Sequence, residues 1–141
     1  MKLCGAVPPG QTRLVQVNSV LMVDDEPDIR RIGEMSLSAV GKFKVFMASS
    51  GEQGLEIARR EKPDVILLDV MMPGLDGPGT LQKLRADPIT YAIPVIFMTA
   101  KVQRAEVERY LQLGAQGVVP KPFDPIELPN RIRKILEEAF K

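Results

Sequence analysis

Val65-Ile66-Leu67-Leu68-Asp69-Val70-Met71-Met72-Pro73-Gly74 decides the fold. Four consecutive branched apolar residues end on one carboxylate, and a Pro-Gly turn follows within a few residues. An apolar run that short, bounded by turn residues, fits a strand buried on both faces, as the strands of a parallel sheet are. An aspartate closing such a strand lies at the carboxyl edge of the sheet, where open α/β folds gather their ligands. Alone, Asp69 would be read as a helix or turn cap; its companions elsewhere in the chain give it another meaning.

Upstream, Val20-Leu21-Met22-Val23 repeats the pattern and ends on Asp24-Asp25. Pro27 then stands where a helix opens, with Glu26 and Asp28 complementing its positive end. Ile29, Ile32, Gly33, Ser36, Leu37 and Val40 recur at helical spacing, opposite a solvated face with Arg30, Arg31 and Glu34. Gly41 predicts the end of that helix. Residues 44–48 read as a strand, and Ser50 with Gln53 forms a capping box for a helix over 51–61.

Downstream, residues 77–85 read as a helix with Leu81 and Leu84 inward. Residues 94–99 form an apolar strand that ends on the hydroxyl of Thr99, followed by a helix over 103–113 that Gly114 closes. Gly117-Val118-Val119 is the last strand, with Lys121 just past its end. Asp124, Pro125 and Glu127 predict the cap, first-turn proline and box partner of a final helix. Its apolar stripe is Ile126, Ile132, Ile135, Leu136 and Phe140, and Pro129 predicts a tightened or kinked first turn. Five strand–helix repeats with short connections predict a doubly wound α/β fold: five parallel strands in the flavodoxin-like order 2-1-3-4-5.

Composition narrows the chemistry. With 45% hydrophobic residues in 141, the chain is long enough to bury a core, read here as one domain over 17–141. Residues 1–16, with Gly5, Pro8, Pro9 and Gly10 and no periodicity, read as an N-terminal extension or appended remnant. A net charge of +1 without a basic tract argues against direct nucleic-acid binding by this chain. No apolar run approaches a bilayer's thickness, so no membrane span is expected. The single cysteine, Cys4, rules out an internal disulfide and fits a cytoplasmic protein. There is no histidine, which removes histidine-based triads and most zinc sites.

The positions of the polar groups are the informative feature. Four of the five predicted strands finish on one: Asp24-Asp25, Asp69, Thr99 and Lys121. In the order 2-1-3-4-5 these four strands are neighbours, about 4.8 Å apart, so the groups converge at the topological switch point. Each group alone has an ordinary explanation as a cap or a solvated residue, but separate ordinary explanations do not predict convergence. Clustered carboxylates repel, and a hard cation such as Mg²⁺ relieves that repulsion. A lysine and a hydroxyl beside them suit the oxygens of a phosphoryl group, with a carboxylate as nucleophile.

The set Val23-Asp24-Asp25-Glu26-Pro27, Leu68 to Gly77, Met98-Thr99-Ala100-Lys101 and Lys121-Pro122-Phe123 resembles the receiver domain of two-component response regulators, over about residues 19–140. The resemblance implies Asp69 as phosphoacceptor, receiving its phosphoryl group from a histidine kinase or histidine phosphotransfer protein. It implies Asp24, Asp25, Asp69 and the backbone carbonyl of Met71 around Mg²⁺. Thr99 resembles the switch hydroxyl, Lys121 the lysine that pairs with the phosphoryl group, and the Lys121-Pro122 bond is expected to be cis. Such a domain assists its own phosphorylation and dephosphorylation but is not otherwise an enzyme. One departure stands out: receivers often carry Tyr or Phe three residues before the lysine, and here that residue is Val118.

Two other functions fit less well. A Mg²⁺-dependent phosphatase working through an aspartyl phosphate usually needs a second acid two residues after the nucleophile, where this chain has Met71. A receiver-like interaction module indifferent to phosphorylation has no need of the intact acidic set. The chain leaves no room after its final helix for an output domain, so it is expected to act by protein contact or to be part of a longer protein.

Overall fold

The computed structural model describes residues 17–139. The expectations placed on residues 1–16, Cys4 included, and on Phe140 lie outside those residues. The strands are β1 (Ser19–Val23), β2 (Lys44–Ala48), β3 (Val65–Asp69), β4 (Val95–Thr99) and β5 (Gly117–Pro120). The helices are α1 (Pro27–Met35), α2 (Gly51–Glu61), α3 (Gly77–Ala86), α4 (Arg104–Gln112) and α5 (Leu128–Ala139). All pairings are parallel, in the order β2-β1-β3-β4-β5. The doubly wound fold expected from the strand–helix repeats is the one observed.

Alternation along the strands splits the core into two layers. Leu21, Val23, Ile66, Leu68, Val95 and Phe97 pack against Ile57 and Ala58 of α2, Leu81 and Leu84 of α3, and Tyr110 of α4. Val20, Met22, Val65, Leu67, Ile96 and Met98 face Leu37 of the first helical segment and Leu128, Ile132 and Leu136 of α5. β3 is buried at all five positions because strands flank it on both sides and helices cover both faces. That is why its sequence is a continuous apolar run rather than an alternation. Among the described residues no helix is long and apolar enough to cross a membrane.

Several local expectations are corrected. The first helix does not run regularly to residue 40: Ser36–Val40 form a π-helical turn, with Gly41 N donating to Ser36 O. The Ser36 hydroxyl donates to Pro125 O, which ties this turn to the approach to α5. Widened turns of this kind arise where a tertiary contact competes with regular helix. Ile32 and Val40, placed on the inward stripe, are exposed. Gly41 ends the helix as expected, and the residue after it, Lys42, takes the left-handed conformation at φ 62.

At α2 the Ser50 hydroxyl accepts from Gln53 N as expected, but Gln53 Oε1 accepts from the backbone N–H and hydroxyl of Ser49 rather than from Ser50. At the other end of the chain, Asp124 opens a separate turn by accepting from Ile126 N, and α5 begins only at Leu128. Pro129 therefore falls at the second helical position, where a missing N–H costs nothing, and no kink is needed. Ile126 lies in the turn and is exposed, outside the buried stripe.

α3 fixes the far side of the loop after β3. Asp76 caps it, its Oδ1 accepting from Gly79 N, and Gly77 N donates to Val70 O. A Cβ at Gly77 would lie 2.5 Å from Asp69 O and 2.7 Å from Val70 Cα, both backbone atoms that cannot swing aside. Gly77→Ala should therefore lower stability by about 1–3 kcal/mol in urea unfolding. A variant as stable as the parent would show that the loop after Asp69 yields freely.

Candidate functional site

The carboxyl ends of β1, β3, β4 and β5 supply the site. Asp24 follows β1 and is fully buried; its N–H donates to Ala48 O, continuing the β1–β2 ladder by one step. Its Oδ1 accepts from Glu26 N at 2.8 Å, which turns the chain into α1. Asp69 closes β3 and is 3% exposed. Its Oδ1 lies 3.4 Å from Met71 N, and Met71 itself is 68% exposed.

Lys121 follows β5 and reaches back across the sheet edge. Its Nζ stands 2.8 Å from Asp24 Oδ2 and 3.2 Å from Asp69 Oδ1, with Glu26 Oε1 further out at 3.6 Å. The Lys121 ammonium is the partner of Asp24 Oδ2, which is otherwise without a donor. The Lys121-Pro122 bond is cis, as the resemblance implied. Asp25 is half-buried, and ligand oxygens of Asp24, Asp25 and Asp69 all lie within 4.8 Å of one another. Thr99 ends β4 one register step beyond the Asp69–Met98 pair, and its Oγ1 accepts from Lys101 N at 3.0 Å. The structure thus joins Asp24, Asp69 and Lys121 by direct contact, sets Asp25 beside them, and leaves Thr99 on the adjacent strand end.

Two neighbours were not assigned to the site from the sequence. Glu26 was assigned to the helix dipole, yet it contributes a third carboxylate to the surroundings of Lys121. Arg30 was assigned to a solvated face, yet it is half-buried and its Nη1 donates to Asp24 O at 2.6 Å. It pins the backbone from which both acids of the pair project. The acid before Pro27 offered a hint for Glu26; a side chain reaching six residues back along the chain offered none for Arg30.

Charge in this site is finely opposed. Burial pushes the Asp69 carboxyl up to about 6, the Asp24 charge adds to that, and Lys121 holds it back. Burial pulls the Lys121 ammonium down, but Asp24 and Asp69 outweigh it and leave the group above its usual value. Three close carboxylates with one ammonium form a hard-oxygen site deficient in positive charge. That donor set fits a hard divalent cation.

The raised carboxyl sets the sign of a pH effect. With its folded value above the ordinary 3.8, Asp69 costs stability once ionised: nothing is lost below pH 4, and the loss is complete above pH 6. Asp69→Asn should therefore stabilise the metal-free protein at pH 7 by about 3 kcal/mol. The gain should shrink toward zero at pH 4, as read by denaturant unfolding in a chelator. A gain independent of pH would show that ionisation of Asp69 is not its source.

Comparison with known proteins places this arrangement. The family model described as the response regulator receiver domain matches residues 20–133. A relative named as the probable transcriptional regulator ycf27 of Guillardia theta is 47% identical over 122 residues, covering 86% of this chain and 46% of the relative. The chain spans about half the length of the curated relatives it matches. Among solved structures, the chemotaxis protein CheY4 of Vibrio cholerae superposes with a TM-score of 0.78 at 28% identity, covering 85% of this chain and 99% of that one. A response regulator from Chloroflexus aurantiacus gives 0.76 at 31% identity, covering 86% and 98%. With most of the described fold matched, the chain belongs to the response regulator receiver domains of two-component signalling.

Proposed function

We propose that this domain is a phosphoryl-accepting switch that takes its phosphoryl group from a histidine kinase or histidine phosphotransfer protein onto Asp69. The observation that carries the reading is the placement of Asp69: a buried carboxylate at the sheet edge, 3.2 Å from an ammonium that also pairs with Asp24. Asp69 Oδ1 faces Lys121 and Met71 N, so Oδ2 is the oxygen left to attack. The new bond joins Oδ2 to phosphorus as the donor's phosphorus–nitrogen bond breaks, and the electron pair leaves with the donor imidazole. Lys121 then stands where it can neutralise a phosphoryl oxygen, and the Thr99 hydroxyl can donate to another once it releases Lys101 N.

Mg²⁺, when bound, would be held by Asp24, Asp25, Asp69 and the Met71 carbonyl, and would supply charge neutralisation for the oxygens of the transferring group. Ionisation of Asp69 near pH 6 in the metal-free site leaves it a competent nucleophile at neutral pH. Water attack on phosphorus would later release inorganic phosphate and regenerate the carboxylate. The modified and unmodified states would differ in the protein contacts they favour. The longer relatives named as transcriptional regulators support an output carried by segments additional to a receiver.

The reading predicts that Mg²⁺ and a small acyl phosphate add the mass of one phosphoryl group to the intact chain. Asp69→Asn should gain none, and a chelator should abolish the gain in the parent. An equal mass gain in Asp69→Asn would move the acceptor elsewhere, and unaided gain in chelator would remove the metal from the mechanism.

A further inference from the structure

The β5 position where an aromatic is common in receivers holds Val118, and the structure shows what fills the space beside it. Val118 pairs with Phe97 of β4 in register, so both side chains lie on the same face of the sheet. Phe97 is fully buried, and Val118 packs against the same apolar cluster. The ring laid over Phe97 comes from α4: Tyr110, 3% exposed, lies with its centroid 5.1 Å from that of Phe97 at an interplanar angle of 60°. The stacking is the tilted arrangement that aromatic pairs prefer. The small Val118 leaves the flank of Phe97 clear for it.

Tyr110 is also the one buried residue of α4. The backbone reinforces this end of the helix, with Ala115 N donating to Tyr110 O and Gly114 turning the chain at φ 111. The other end is held differently. Residues 100–105 are exposed, and Ala100, Lys101, Val102, Gln103 and Glu106 line an open cleft of about 440 Å³. α4 is thus anchored near its C-terminus by one ring and loosely held at its N-terminus, which follows directly on Thr99.

Thr99 stands two residues beyond Phe97 on β4, on the same face. A shift of Thr99 toward Asp69 would pull the loop over 100–103 and disturb β4 beneath the Tyr110 ring. We propose that Tyr110 is the reporting aromatic of this domain, carrying the state of Asp69 and Thr99 to α4 through its stack on Phe97. The proposal rests on the phosphoryl-switch reading above and adds to it the element that moves and the residue about which it moves. It also accounts for Val118: an aromatic there would compete with Tyr110 for the flank of Phe97.

The chain supplies its own probe. It contains two tyrosines and no tryptophan, and the other tyrosine, Tyr91, is 59% exposed and held through its backbone, its N–H donating to Asp87 O and its carbonyl accepting from Arg85. In a Tyr91→Phe variant, tyrosine emission reports Tyr110 alone. With Mg²⁺ and acyl phosphate, its emission and its quenching by acrylamide should change in proportion to the mass gain. Both should return as the mass gain is lost to hydrolysis, and neither should change in Tyr91→Phe/Asp69→Asn. A ring that served packing alone would show no such change. Full mass gain with unaltered emission and quenching overturns the proposal while leaving Asp69 as acceptor, whereas no mass gain overturns the switch reading and this inference with it.

Discussion

One ammonium stands between two buried carboxylates, and most of this fold can be understood as the means of holding it there. Asp24 and Asp69 are almost without solvent, and two like charges at that depth repel through a medium that screens poorly. Lys121 offsets the repulsion at 2.8 and 3.2 Å, yet it comes from the last strand of the chain, about a hundred residues from Asp24. Only the sheet order brings these groups together: β1, β3, β4 and β5 end side by side, with β2 set outside. The compensation remains incomplete, because one ammonium faces two buried carboxylates and Asp25 adds a further negative charge. An excess of carboxylate over ammonium fixed by the backbone is a standing demand for positive charge, which a divalent ion can meet.

The sheet and its converging strand ends were legible in the sequence for a definite physical reason. Strands buried on both faces must be apolar throughout, so a polar group at their end cannot be mistaken for part of a pattern. Val65 to Leu68 and Val95 to Met98 are buried throughout, and Asp69 and Thr99 break the pattern where the strands reach the edge. Once five strand–helix units are recognised, the handedness of the crossovers leaves few arrangements, and the switch point follows. The edge strands were less marked: β2 is mostly half-exposed and β5 alternates, so they rested on neighbouring turn residues.

What the sequence did not disclose depends on contacts between distant segments. The π-helical turn at Ser36–Val40 is coupled to Pro125 through the Ser36 hydroxyl, and nothing local distinguishes that serine from a solvated one. The start of α5 was misplaced because Asp124 and Pro125 make a good helix opening on paper, whereas Asp124 spends its side chain on a turn ending at Leu128. Arg30 was set on the wrong side because helical periodicity describes a rod and ignores where its end approaches a strand terminus. Tyr110 was passed over for a similar reason. On a helix whose other large apolar residues, Val107 and Leu111, are half-buried and exposed, one aromatic gives no stripe, and its importance appears only when Phe97 is found beneath it.

These contacts divide the domain unequally. The acid pair and Asp69 project from β1 and β3, which other strands flank on both sides and which are nearly solvent-free. Thr99 closes the equally buried β4, but the segment after it, residues 100–105, is exposed, Lys121 follows the edge strand β5, and the covering helix α4 buries one side chain. Groups that must keep a fixed geometry toward a metal or a phosphoryl group gain from the first setting, because displacing them would disturb packing on both faces of the sheet. Groups that must respond gain from the second, because segments with few buried apolar contacts open at low free-energy cost. An added charge at Asp69 would therefore be absorbed mainly on the α4 and β5 side. The residue best placed to resist or transmit that displacement is the one ring that fastens α4 to the sheet.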